Sequence, residues 1–418
     1  MHNIKKIYIS GGILTATVMA AYLLNFIFNA FLGRVLTFEA FGLITFLNML
    51  FYIINIFYNA IDITINQHVA YIDKNDNRDE VSQFMKYSTK RIMLISTILA
   101  CLWLLSSPFI TAFFQVGNSL IVDLFALVIL LYPVVFIGKG YMQGKFFFIS
   151  VAVITIFEAL VKLIGAVLLV FLHQENLVYI SLYISSLLTV LLVVLLILFR
   201  RDWQIMQANK KSKSSFPVKL YMHSLITGLA TVSFLAIDVI LIKHFMSPYL
   251  AGEYSLLSLI GKIIYFLGSL LNVFIITLVS KHEAHQKNPL VGFYKILLGS
   301  CLLAGAGYIG LGIFGPTFVP ILFGEKAVAI LPYLNLYTLT ILLFTIGNSI
   351  VTFHLAKKQF IFPVLSLFAS VLFIMGIIFF HGSIEQIVST IFITSIINIV
   401  ILVVPHLFMR NKSKEVYS

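Results

Sequence analysis

Arg34-Val35-Leu36-Thr37-Phe38-Glu39-Ala40-Phe41-Gly42 and His244-Phe245-Met246-Ser247-Pro248-Tyr249-Leu250-Ala251-Gly252 say nearly the same thing in two places. Each sets a basic residue three positions before a hydroxyl and a Gly five positions after that hydroxyl. Each also lies between two long apolar runs. His244 stands 210 positions after Arg34, half the length of this 418-residue chain. An echo at that separation points to two homologous halves, a construction common in polytopic membrane proteins.

The composition agrees. The chain is 60% hydrophobic and 11% charged, with a mean hydropathy of +1.03. Apolar runs recur at about 20 residues, the length that crosses a ~30 Å hydrocarbon core as helix. The ten-residue alternation of membrane barrels is absent. Twelve spans are expected, at roughly 10–31, 41–65, 92–114, 119–138, 147–171, 177–199, 219–242, 255–280, 292–314, 331–353, 360–380 and 384–408. The first follows Lys5 and Lys6 but is too long for a signal peptide's apolar region and lacks a small-x-small cleavage site, so it stays as a helix. The fold class is all-α, with two six-helix lobes at 1–199 and 219–418 joined by a cytoplasmic linker at 200–218.

The net charge of +12 concerns topology, not nucleic acid. With the N-terminus cytoplasmic, all but five of the 28 Lys and Arg fall in cytoplasmic segments; Arg34, Lys243 and Lys326 lie outside, and Lys162 and Lys262 lie inside spans. That asymmetry places both termini in the cytoplasm. Cys101 and Cys301 sit in apolar spans and read as small buried hydrophobes, not as disulfide partners or metal ligands. His282-Glu283-Ala284-His285 spaces its histidines i and i+3, where a zincin needs i and i+4. No phosphate-cradling Gly-x-x-x-x-Gly-Lys-Ser/Thr motif occurs, which excludes ATP-driven export by this chain alone. The outer loops are short, under twenty residues even at Gly315 to Ile330, and leave no room for an extracytoplasmic catalytic domain.

Charges inside spans carry the functional signal, because each costs ~2.5–3.5 kcal/mol to insert. Glu158 and Lys162 share span 5 at i and i+4, with the acid first, the favourable order for a same-face pair. Asp238 and Lys262 stand at matching depth on consecutive spans, ~14 Å from the outer surface at ~1.5 Å per residue. Each pair reads equally as a structural ion pair or as a cavity-lining cation beside an ion-linked carboxylate. Asp62 and Asp123 stand nearer span ends and read as interfacial. Arg34 closes the first span with a guanidinium suited to bidentate phosphate recognition or to simple anchoring.

The stretch from Asp238 through Gly252 to Ser255 resembles the span 7–8 signature of the polysaccharide-biosynthesis flippases, in the multidrug/oligosaccharidyl-lipid/polysaccharide exporter superfamily. Phe31-Leu32-Gly33-Arg34-Val35-Leu36 with Phe41-Gly42 is similar to that family's helix 1–2 signature. Gly140-Tyr141-Met142-Gln143-Gly144, Phe323-Gly324-Glu325 and Ala356-Lys357-Lys358 fit in order and spacing, so the resemblance covers essentially the whole chain. It departs after span 2, where Ile63 and Gln67-His68 replace a frequent Gly and Arg. Twelve spans favour the O-antigen or capsule repeat-unit branch over the fourteen-span lipid II branch.

The resemblance implies a non-enzymatic flippase of the bacterial inner membrane. It would carry undecaprenyl-pyrophosphate-linked oligosaccharide across the bilayer by alternating access. It implies Arg34, Lys162 and Lys262 as pyrophosphate ligands, and Glu158 and Asp238 as charge-balancing or ion-coupling groups. A proton or sodium gradient is the candidate energy source, with no cofactor and no metal. A glycan polymerase and a chain-length regulator are the implied protein partners. The rival readings are an ion-coupled small-molecule exporter, a membrane glycan polymerase or ligase, and a scaffold subunit.

Overall fold

The computed structural model describes residues 2–73, 78–199, 216–272, 274–275, 278–279, 289–357 and 359–417. The His282–His285 motif, the heart of the 200–218 linker and residues 74–77 of the first polar cytoplasmic segment lie outside them. Among the described residues fourteen α-helices follow one another. They are α1 (His2–Val35), α2 (Phe38–Asp73), α3 (Arg78–Phe113), α4 (Ser119–Leu131), α5 (Pro133–Gly144), α6 (Phe148–Phe171), α7 (Ile180–Phe199), α8 (Val218–Phe245), α9 (Pro248–Ser269), α10 (Leu290–Tyr308), α11 (Gly315–Phe323), α12 (Leu331–Ala356), α13 (Ile361–Phe379) and α14 (Ile384–Tyr417). Among the described residues eleven helical stretches are long and apolar enough to cross a membrane. The span expected at 219–242 is also helical, as α8.

The helices form two compact units, Met1–Leu32 with Phe51–Gly228, and Gly33–Leu50 with Leu229–Ser418. The second unit therefore holds both copies of the repeated stretch, and their shared chemistry has a local explanation. Thr37 Oγ1 accepts the Ala40 N–H at 3.3 Å and starts α2; Ser247 Oγ accepts the Leu250 N–H at 3.4 Å and starts α9. Each hydroxyl is the N-cap that its helix needs. The two glycines then bring the helices together. A Cβ on Gly42 would stand 2.8 Å from the Gly252 Cα, and a Cβ on Gly252 would fall onto the Phe38 carbonyl. Beside them the Phe38 and Tyr249 rings meet edge to face at 5.2 Å.

Membrane helices invert the usual pattern, with large apolar groups outward and small or polar groups inward. On α3, Leu105 and Phe109 are 79% and 70% exposed, while Ser96 and Ser107 are buried. Ser107 donates to Asp123 Oδ1 on α4, so Asp123 has a partner within the bundle. Cys101 is exposed and Cys301 half-exposed; both are free and neither is the buried hydrophobe expected from its apolar neighbours.

The fourth span is longer than hydropathy marks it, because α5 continues past residue 138 to Gly144. Pro133 divides α4 from α5, since it has no N–H for the carbonyl four residues back. That carbonyl, Ile129 O, takes the Tyr58 hydroxyl of α2 instead, at 3.0 Å. The stretch 315–330, expected as loop, is instead the short helix α11 and a 3-10 turn at Glu325–Ile330. Gly324 between them adopts φ +84°, which Gly alone takes without strain.

In the second unit α12 is packed by α9, α10 and α14. At one end of that packing two buried imidazoles are hydrogen-bonded in a chain. His354 Nε2 and His406 Nδ1 lie 2.8 Å apart, and Tyr294 OH lies 2.8 Å from His406 Nε2.

Candidate functional site

The first unit contains a cavity of about 300 Å³ whose walls come from one face each of α1, α2, α5 and α6. The faces follow from helical spacing. α6 presents Val151, Thr155, Glu158 and Lys162; α5 presents Phe136, Lys139 and Gln143; α1 presents Val18, Tyr22 and Asn25; α2 presents Asn59 and Asp62. Steps of three and four residues keep each set on one side of its helix.

Glu158 and Lys162 therefore share a wall, yet their contacts go elsewhere. Lys162 Nζ donates to Asn25 Oδ1 and lies 4.7 Å from the centre of the Phe28 ring. Glu158 accepts the Tyr132 hydroxyl and faces Lys139 Nζ at 4.0 Å. The i, i+4 relation sets them on one face, while the cross-helix partners take up their polar atoms. Asp62, read from sequence as interfacial, stands on the cavity wall because α2 runs on to Asp73. Its Oδ1 is buried without a hydrogen-bond partner among the described residues. One turn further, Asn66 Nδ2 donates to Gln143 Oε1 at 3.0 Å.

The remaining three sequence candidates belong to the second unit. Asp238 is 1% exposed on α8, and its Oδ2 receives the hydroxyls of Tyr254 at 2.9 Å, Tyr337 at 3.2 Å and Ser258 at 3.4 Å. Its Oδ1 has no partner among the described residues. Lys262, 6% exposed one turn beyond Ser258, donates to the Met49 thioether at 3.1 Å. Asp238 and Lys262 do not close into an ion pair. Arg34 is exposed at the end of α1, with Nη1 donating to Ile321 O at 3.2 Å, while Lys326 Nζ donates back to Leu36 O. The end of α1 and the end of α11 thus each give a carbonyl to a cation from the other segment, the usual way a side-chain cation satisfies a helix C-terminus.

A charge-led reading of the sequence missed Asn25, Asn59, Asp62, Lys139 and Gln143. Their signal was spacing: each lies three or four residues from another polar or cavity-facing position on its helix.

The match to known sequences covers most of the chain. The profile of the polysaccharide biosynthesis protein family fits residues 31–332. The chain belongs to that family. No curated protein matches it. Solved structures do, across nearly its full length. The lipid II flippase MurJ in an inward closed conformation superposes with a TM-score of 0.71 at 16% identity, over 94% of this chain and 87% of the other. A multidrug resistance MATE family transporter of the MOP superfamily, in an inward-facing conformation, gives 0.70 at 13%, over 95% and 98%. A MOP superfamily transporter from Pyrococcus furiosus gives 0.56 at 14%, over 99% and 96%. At such identities the likeness concerns the fold. This polysaccharide biosynthesis family member is a multi-pass membrane protein with the architecture of MOP transporters.

Proposed function

We propose that this protein is a flippase of the bacterial inner membrane that moves undecaprenyl-pyrophosphate-linked oligosaccharide, an O-antigen or capsular repeat unit, from the cytoplasmic to the outer leaflet. The observation that carries the reading is the polar cavity of the first unit, with Lys139 and Lys162 among amides and carboxylates inside a membrane-spanning bundle. Such a lining is costly in lipid unless it faces a wet passage or a polar cargo. A pyrophosphate head needs cations that are not already spent on carboxylates. Lys162 has two N–H donors left after Asn25, and Arg34 keeps most of its five after Ile321 O. Lys262 contributes its ammonium from the second unit, and Glu158 and Asp238 balance charge or carry a coupling proton or sodium ion. Residues 1–199 and 219–418 act as the alternating lobes.

The protein's removal from its host tests this through the leaflet position of lipid-linked oligosaccharide. Complete repeat units should accumulate on the cytoplasmic leaflet with loss of surface glycan. Wild type should restore export, and Lys162→Gln should restore it at least about tenfold less well, the effect of ~1.4 kcal/mol or more of lost charge-assisted hydrogen bonding. Single units found unpolymerised on the outer leaflet would overturn the flippase step in favour of a polymerase or ligase. One observation favours a second reading: the Asp62 carboxylate on the cavity wall, whose Oδ1 has no hydrogen-bond partner among the described residues, suits an organic cation, as in an ion-coupled exporter. Intact surface glycan together with sensitivity to cationic drugs would select that alternative.

A further inference from the structure

α2 carries more amide side chains than a membrane span needs. Asn48, Tyr52, Asn55, Asn59, Asp62 and Asn66 recur at steps of four, three, four, three and four, one unbroken polar stripe along the helix. No charge pairing requires it, and neutral amides do nothing for topology. Two of its atoms in the first unit are also unmet: Asn55 Oδ1 and Asp62 Oδ1 are buried without a hydrogen-bond partner among the described residues. Buried polar groups left in that state are normally satisfied by a ligand or by water.

The unmet pair is two acceptors, and it bears on ligand chemistry. A phosphate only accepts, so it serves neither and meets the Asp62 carboxylate with repulsion. A cation serves both acceptors but enters a cavity that already holds Lys139 and Lys162. A sugar hydroxyl both donates and accepts, as does the N-acetyl group of an amino sugar, so either serves both acceptors and also takes the N–H groups of the neighbouring amides. The cavity at Asn59 and Asp62 has two acids, Asp62 and Glu158, and two cations, Lys139 and Lys162, which favours a neutral guest. Tyr22 and Phe136 supply the apolar wall that small-ligand sites pair with a few polar groups.

We propose that the α2 stripe, at Asn55, Asn59 and Asp62, is a saccharide-binding rail that reads neutral hexose and N-acetylhexosamine units through groups other than the cations that hold the phosphates. The inference rests on the flippase reading above and assigns the sugar half of that substrate. Amides repeated at every turn let a glycan pass from one set of hydrogen bonds to the next, so the rail tolerates differences between neutral sugars and disfavours uronic acids.

The test uses the full chain in nanodiscs and two probes, undecaprenyl pyrophosphate and undecaprenyl-pyrophosphate-linked N-acetylglucosamine, with binding read by native mass spectrometry. Wild type should bind the sugar-bearing probe about tenfold more tightly, the worth of one or two hydrogen bonds. Asn55→Leu/Asn59→Leu should abolish that preference, so that the two probes bind alike, while an unchanged melting temperature shows that the variant is folded. Lys162→Gln should weaken both probes in parallel. Asn59→Leu alone, at an exposed position, should lose part of the preference. A double Leu variant that keeps the full sugar preference, or a wild type with none, overturns the rail and leaves the flippase reading standing. A wild type that binds neither probe overturns the flippase reading itself.

Discussion

Gly252→Ala tests whether the repeated stretch is what brings α2 and α9 together. The added methyl would occupy the place of the Phe38 carbonyl, and a Cβ on the facing Gly42 would stand only 2.8 Å from the Gly252 Cα. Carbon atoms rest at ~3.5–4.0 Å, so one helix must move by about 1 Å or more along this contact. The obstacle is backbone, which cannot rotate aside as a side chain can. Overpacking of this kind costs about 1–3 kcal/mol. Loosening the Phe38–Tyr249 edge-to-face contact adds about 0.5–1.5 kcal/mol. Alanine returns up to about 1 kcal/mol through its better helix propensity.

The net expectation is a loss of about 2–3 kcal/mol, or about 5–10 °C in Tm for a unit of this size. Thermal unfolding of the detergent-purified chain, followed by loss of helical circular dichroism, measures it. Gly305→Ala is the matched control. A Cβ there meets nothing within 4 Å, so the variant should melt at or above wild type. Gly42→Ala should behave like Gly252→Ala, and the double variant should lose less than the sum, because both strain one contact. If Gly252→Ala melts with Gly305→Ala, the close backbone approach is wrong. The repeated Gly would then need an explanation other than packing.

Two further outcomes follow from hydrogen bonds. Tyr58→Phe should cost about 1–2 kcal/mol by leaving Ile129 O unmet, and much less in a Pro133→Ala background, where the restored N–H reaches that carbonyl; equal costs in both backgrounds would refute the link. Asp238→Leu should destabilise the chain by about 2–4 kcal/mol because the hydroxyls of Tyr254, Tyr337 and Ser258 lose their shared acceptor, while Asp238→Asn retains an oxygen there and should lose less; equal melting points for the two would show that the hydroxyls have other partners.

Helix positions were legible in the sequence because apolar length marks a span directly. The repeated hydroxyls and glycines read only as an echo of two halves; their work as N-caps and as the meeting point of α2 and α9 emerges from the structure. The cavity was harder to see, for a physical reason. A scan for charge finds Glu158 and Lys162, whereas Asn59 carries no charge and Gln143 lies beyond the apolar part of its span. Asp62 looked interfacial because the apolar run stops near residue 65, yet α2 continues through Asn66, Gln67 and His68, residues that a helix accepts. Asn66 is held there by Gln143. Lys139 looked like loop for the same reason, since α5 runs on beyond the apolar part of its span. The pairing of Glu158 with Lys139 is a relation between helices, and no spacing within α6 reports it.

Across both units one arrangement recurs that local sequence does not announce. Glu158 is held by the Tyr132 hydroxyl, and Asp238 by the hydroxyls of Tyr254, Tyr337 and Ser258. The lysine that the sequence reading paired with each acid then rests on a neutral group, Asn25 for Lys162 and the Met49 thioether for Lys262. If stability alone governed these positions, an apolar residue or a closed ion pair would serve better, because a desolvated ammonium without a counter-charge is costly. Holding Asp238 with hydroxyls, and Glu158 with a hydroxyl and Lys139, leaves Lys162 and Lys262 outside a closed ion pair. A cation outside a closed ion pair in each unit of a membrane protein is what an anionic headgroup would require, and it is why Lys162 and Lys262 remain the residues to test first for the phosphate.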